Sequence, residues 1–247
     1  MKTKIFNRFV FGISMIASLF VLSCNKNDND DTPIEGAGLM AVNLAPETSA
    51  SLTISGNVIA SSLPYNSYTG GYYSIFPGTR VVDAYNFAGL AASNNVNFQS
   101  GKYYSLFLVD TGMALQQIIV EDGVDTLATT TQSYIRYINA IQSTGASPTV
   151  TIAAEGVNVI NESASFTSVS DFKTINAGSI NITVTNGGSL NVSRTITVES
   201  GKIYTILLSG VSGETGDKAP QIKFIVNGTA DGTDERPSNT AVVTSNK

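Results

Sequence analysis

Histidine and tryptophan are absent from this 247-residue chain, and cysteine occurs once, at Cys24. The lack of histidine excludes Ser-His-Asp and Cys-His nucleophile–base arrangements. It also removes, with the missing cysteines, the usual ligands of zinc. One cysteine cannot form an intramolecular disulfide, so stability must come from core packing. Charge is sparse, at 13% Asp, Glu, Lys and Arg. That argues against a coiled coil and against extended disorder in the body of the chain. The net charge of −5 becomes −8 once the first 24 residues, with Lys2, Lys4 and Arg8, are set aside. An acidic chain without a basic stripe is a poor partner for nucleic acid, whose phosphates require Lys and Arg.

What is abundant is Ser, Thr, Asn and Gly around apolar residues, the composition of short strands and many turns. The amino terminus stands apart. A basic start is followed by an apolar stretch, residues 9–22, of 14 residues. A membrane-spanning helix needs ~20, so this reads as a signal peptide. Val21-Leu22-Ser23-Cys24 resembles the lipobox of bacterial lipoproteins, with Leu22 where a small residue is more usual. Cys24 is therefore the expected lipidation site and the expected link to a membrane. Residues 25–38, "NKNDNDDTPIEGAG", read as a polar tether. Asp28, Asp30 and Asp31 resemble the acidic export signal of Bacteroidetes surface lipoproteins.

The body is written twice. At an offset of 100, "VNFQSGKYYSLFL" meets "ITVESGKIYTILL", so that Ser100, Gly101, Lys102 and Tyr104 fall on Ser200, Gly201, Lys202 and Tyr204. Upstream, Tyr72, Ile75, Gly78 and Val82 fall on Phe172, Ile175, Gly178 and Ile182. "LMAVNLA" from Leu39 meets "IRYINAI" from Ile135 at an offset of 96. A period this long is a domain duplication. Within each unit apolar residues alternate with Ser, Thr and Asn, the mark of half-buried strands. Pairs such as Pro77-Gly78, Asp122-Gly123 and Asn186-Gly187 punctuate them. The expected fold is all-β: two tandem immunoglobulin-like antiparallel β-sandwich domains. The expected order is signal peptide 1–23, tether 24–37, first sandwich 38–130, second sandwich 131–228 and polar tail 229–247. The Thr-rich joint is short, so the domains are expected to pack with limited freedom.

The phrases "AVNLAPETSASLTISG", "YNSYTGGYYSIFPGTRVVDAY", "SGKYYSLFLVD" and the second "IRYINA" resemble the domain of unknown function 4397 family. The resemblance runs from about residue 39 to 228. It departs in "INAIQSTGASPTV", which lacks the family's usual aspartate. It implies paired sandwich modules in bacterial secreted and surface lipoproteins, and it brings no catalytic residues with it.

Candidate chemistry is thin. Asp83, Asp110, Glu121, Asp122 and Asp125 are not spaced as a glycosidase carboxylate pair. "EDGVD" and "DGTDE" offer oxygen ligands around glycine turns but no full calcium-loop spacing. No catalytic residue, metal site or cofactor is expected. The stretch "PYNSYTGGYYSIFPG" is richer. Tyr65 and Tyr68 meet Ser165 and Ser168 in the duplicate, and Tyr73 meets Lys173. These three are the candidate ligand-binding residues, with glycan or protein as ligand, although strand packing uses the same residue types. Tyr72 and Phe76 are assigned to the core. "DTL" makes Thr126 a candidate O-glycosylation site. Tyr104 and Tyr204, each opening a strand after a turn, read as tyrosine corners, and Tyr103 shares the environment of Ile203. The expected protein is a lipid-anchored, non-catalytic interaction or adhesion module at the surface of an outer membrane. The alternative is a structural subunit of a fimbria-like or envelope assembly that offers edge strands to partners. Oligomeric state stays open.

Overall fold

The computed structural model describes residues 35–46, 48–128, 131–143 and 145–233. The signal peptide, Cys24, most of the tether and the tail from 234 onward lie outside the described residues. The first half holds nine strands: β1 (Ala37–Asn43), β2 (Ala50–Ile54), β3 (Asn57–Leu63), β4 (Ser67–Tyr68), β5 (Tyr73–Ile75), β6 (Gly78–Asn86), β7 (Gly89–Phe98), β8 (Tyr103–Asp110) and β9 (Leu115–Glu121). The second holds eight: β10 (Ser133–Gln142), β11 (Thr149–Ala154), β12 (Val157–Ser163), β13 (Lys173–Ile175), β14 (Gly178–Thr185), β15 (Asn191–Val198), β16 (Lys202–Val211) and β17 (Gln221–Thr229). Among the described residues the helices are two 3-10 turns, Val124–Thr126 and Gly216–Lys218.

Each half is a sandwich of an outer and an inner sheet. The outer sheets run β3-β2-β6-β7 and β12-β11-β14-β15. The inner sheets run β4-β1-β8-β9, with β5 also on β1, and β13-β10-β16-β17. Pairing is antiparallel except at the centre of each inner sheet, where β1 lies parallel to β8 and β10 to β16. The period-two pattern places strands but carries no direction, so this departure from an all-antiparallel expectation was not visible in it.

The inner sheets are buried on both faces. In β8, Tyr104, Leu106 and Leu108 enter the core of the first sandwich. Tyr103, Phe107 and Val109 point the other way, into a shared cluster with Met40, Val42, Tyr134, Ile138, Ile203 and Leu207. In β10, Ile135, Tyr137 and Ile141 fill the second sandwich, while Tyr134 and Ile138 join that cluster. The two sandwiches therefore stack inner sheet on inner sheet, giving four layers and three apolar cores. Full burial of one large apolar side chain is worth about 1.5–3 kcal/mol, and an interface of this apolar kind restrains motion between domains.

The repeated phrase fixes the corners. The Tyr104 hydroxyl accepts the backbone N–H of Gln99 at 3.0 Å, and that of Tyr204 accepts Glu199 N–H at 2.9 Å. Gly101 and Gly201 both turn at φ 74, where a side chain would be strained. Loss of either hydroxyl leaves a part-buried N–H without its partner. Tyr104→Phe and Tyr204→Phe are each expected to cost about 1–2 kcal/mol. Additivity of the two losses in urea midpoints would follow from their separation.

The matched phrases at offset 96 hide a second shared device. Asn43 donates to the carbonyls of Thr48 and Leu63 at 2.6 and 2.8 Å, and accepts Ala45 N–H. Asn139 does the same with Ala164, Ser165 and Ile141. Asn43 so ties β1 to Thr48 ahead of β2 and to the last residue of β3, and Asn139 ties β10 to the residues that follow β12.

Candidate functional site

The most concentrated polar chemistry lies inside the stack. Arg136 on β10 reaches across to Asp122, just beyond β9, with Nη2 2.6 Å from Oδ1; both side chains are almost wholly buried. Tyr72 donates to the other carboxylate oxygen at 2.6 Å, and Ser105 to the same atom at 2.8 Å. Arg136 Nε donates to the Thr205 hydroxyl at 3.0 Å, which donates to Asn227 Oδ1 at 2.6 Å. Asn227 Nδ2 closes the ring on the Tyr72 hydroxyl at 3.1 Å. Three members come from the first sandwich and three from the second. Phe172 stacks under the guanidinium, its centroid 4.4 Å from Cζ, a contact worth about 0.5–2 kcal/mol. Burial, and then the neighbouring carboxylate, push the Tyr72 hydroxyl's pKa well up, so it stays a hydrogen-bond donor.

This cluster holds charge without offering it to a ligand. Both Asp122 oxygens are occupied by cation and hydroxyl donors, which is the arrangement of a structural tie. A cleft of ≈ 270 Å³ beside it is lined by Glu121, Asp171 and Phe172 and reaches Asp122 and Arg136 themselves. That volume falls just below the range of about 300–1,000 Å³ usual for small-molecule pockets. "EDGVD" is likewise committed: Asp122 to Arg136, and Asp125 and Glu121 to Lys102 at 2.6 and 3.9 Å. Among the described residues no group of three or more acidic, His or Cys side chains could hold a metal ion. Asp231, from the second acidic turn, is held down to about 2 by hydrogen bonds from Thr229 and Thr233.

The candidate tyrosines do not share one face. Tyr68 pairs with Val42, so it projects on the side of the second sandwich; Tyr73 pairs with Leu39, on the opposite side. Both are exposed, whereas Tyr65 is half-buried and its hydroxyl is buried without a hydrogen-bond partner among the described residues. Tyr72 is buried as expected, but in the shared cluster and not in a sandwich core. Tyr103 and Ile203 do share an environment, both facing the other sandwich. Phe76 is a correction: it is 47% exposed. It follows Ile75, which alternation turns inward, and precedes Pro77, where the strand has ended. Thr126 is exposed at the end of the 3-10 turn, its hydroxyl donating to Gly123 O at 2.7 Å.

A different surface emerges from the topology. Glu35 and Gly36 are pinned at one end of the stack by Ser100 and Gly101. Asn43 lies beside Leu108 at the other end, so the chain leaving β1 and the β8–β9 turn depart together there. Ser51 opposite Tyr85 brings the β6–β7 turn to the same end. These two turns carry Phe87 and Met113, 102% and 96% exposed, with Leu90 also outside. Each turn is braced. Asn86 Oδ1 accepts Ala88 N–H at 2.9 Å, and Asp110 Oδ1 accepts Gly112 N–H at 2.7 Å. In the duplicate the same positions are Gly187 and Gly213, and Leu190 is buried. Sequence reasoning missed this rim, although its signal was present: two large apolar residues in turns where the second copy has glycine.

Residues 133–243 match the family described as Domain of unknown function (DUF4397), a span that takes in the second sandwich. No curated protein matches the chain. Among solved structures it is similar to a carbohydrate-binding module (family CBM26) of Eubacterium rectale Amy13K in complex with maltoheptaose, at 10% identity over 75% of this chain and 96% of that one, with a TM-score of 0.24. It is also similar to a putative cell adhesion protein from Bacteroides uniformis, at 8% identity over 78% and 99% and a TM-score of 0.23. A further putative cell adhesion protein, from Bacteroides eggerthii, gives 13% identity over 80% and 96% with a TM-score of 0.22.

Proposed function

We propose that this chain is a lipid-anchored, non-catalytic interaction module of the cell envelope, held through Cys24 at the outer membrane and displayed at the surface. It meets a glycan, matrix protein or envelope partner with the rim opposite the entry of its chain. The observation that carries this reading is the pair of braced turns presenting Phe87 and Met113 to solvent. Large apolar side chains held out by rigid turns cost little entropy on docking and are the residues that anchor interfaces. The non-catalytic part rests on the ring around Asp122 and Arg136, whose charges are spent on each other.

Adhesion of cells displaying the chain to immobilised mucin glycans and matrix proteins tests the reading. Phe87→Ser with Met113→Ser is expected to weaken adhesion about ten- to a hundredfold. Unchanged adhesion would move the contact elsewhere. A loss seen only with Tyr65, Tyr68 and Tyr73 truncated would restore the tyrosines as the site. Protease shaving of intact cells addresses display: a fully protected chain contradicts it. Strand-mediated assembly is the second reading: register shifts interrupt the pairing of edge strands β3, β7, β12 and β17, which resists strand addition, whereas edge strands β9 and β15 pair without a shift and are where a partner strand would add.

A further inference from the structure

The duplication that wrote two sandwiches also wrote the two faces that meet. Met40 follows the residue paired with the corner tyrosine of its half, and so does Arg136: Leu39 lies beside Tyr104, Ile135 beside Tyr204. Asp122 and Asn227 correspond in the same way, each following the residue opposite that tyrosine, Glu121 and Val226. Tyr72 corresponds to Phe172 and Ser105 to Thr205 at the offset of 100. Hydroxyls and aromatic rings thus stand at equivalent places on both faces. The charges do not. Among the described residues, the buried charges at the junction are one carboxylate on the first face and one guanidinium on the second, and the two are buried against each other; Asp171 of the second half is exposed at the edge of the neighbouring cleft.

A copy of the first face set against its own kind would bury Asp122 twice with Met40 where Arg136 now stands. The second face against its own kind would bury two guanidinium groups and no anion. An unpaired buried charge is strongly unfavourable, whereas the mixed pair is neutral and hydrogen-bonded through Arg136 Nε and Nη2 and both Asp122 oxygens. Apolar packing alone would not discriminate, because both faces offer the same kind of cluster around the ring.

We infer that the Asp122–Arg136 pair is a matching code: it makes the inner face of the first sandwich accept the inner face of the second and refuse a second copy of itself. The partner each face fits is a sandwich of the opposite junction charge, so neighbouring copies of the chain do not stack through like faces. The inference stands on the junction alone and does not depend on what the rim binds.

Three variants of the full chain test it. Arg136→Met with Asn227→Asp imitates first face on first face. Met40→Arg with Asp122→Asn imitates second on second. All four substitutions together exchange the charges between faces. The two imitations are expected to melt about 10 °C or more below the parent chain. The exchange is expected to recover at least half of that loss. The acid–acid imitation is further expected to gain on the exchange variant as pH falls from 7 to 4, because protonating one carboxylate relieves the repulsion; the base–base imitation is not. An exchange variant as unstable as the imitations would overturn the code. So would an imitation that melts with the parent, or an acid–acid variant that gains nothing at low pH.

Discussion

Asp122→Ala is expected to destabilise the chain by about 3–5 kcal/mol and to lower its melting temperature by about 10 °C or more. The substitution removes one carboxylate and leaves a guanidinium that is 3% exposed facing Tyr72 and Ser105, whose donors lose their acceptor as well. Most of the loss is therefore the cost of a charge stranded out of water and not the worth of the pair. That distinction has its own signature. Asp122→Asn combined with Arg136→Met discards both charges and is expected to return to within about 1–2 kcal/mol of the parent. A urea-unfolding cycle over the two sites measures it. If the losses of the two single variants simply add in the double, the ring is not the tie between the sandwiches.

Phe107→Ala is the second large effect, at about 3–5 kcal/mol. Phe107 is fully buried at the centre of the shared cluster, and its ring centroid lies 6.0 Å from the guanidinium carbon of Arg136. The neighbours are strands hydrogen-bonded on both sides, which cannot collapse into the space. The loss should also cross between the halves. Amide exchange should accelerate in β10 and β16 of the second sandwich as well as in β8 itself. Phe98, which packs edge-on against Tyr104 at 5.0 Å inside the first sandwich, offers the comparison. Faster exchange confined to the first half after Phe107→Ala would mean that the two sandwiches melt independently.

Much of the architecture is legible in the sequence. The offset of 100 located both corner tyrosines and the glycine turns before them, because corners are set by local chemistry that a duplication preserves. Alternation placed most strands. What it could not supply was the second burial of the inner sheets. "YYSLFLVD" is apolar on both faces, which says that two layers cover it but not which layer comes from where. The parallel course of β1 beside β8 was equally silent. In the sequence Asp122 reads as part of a hydrophilic turn, since an aspartate before glycine is usually that. Its partner Arg136 is close in sequence but belongs to the other sandwich, and only the stacking brings them together. Of the candidate tyrosines, the comparison with the duplicate separated Tyr72 from Tyr73 but could not place Tyr68 and Tyr73 on opposite faces, because that depends on which residue of β1 each one pairs with. Phe87 and Met113 were legible in principle. The same comparison, carried from strands into turns, sets them against Gly187 and Gly213.

Calorimetric unfolding of the chain tests most directly whether the two sandwiches form one body through the buried junction. A single transition whose calorimetric and van't Hoff enthalpies agree is the predicted result. Two separable transitions, or one whose van't Hoff enthalpy is near half the calorimetric value, would contradict it.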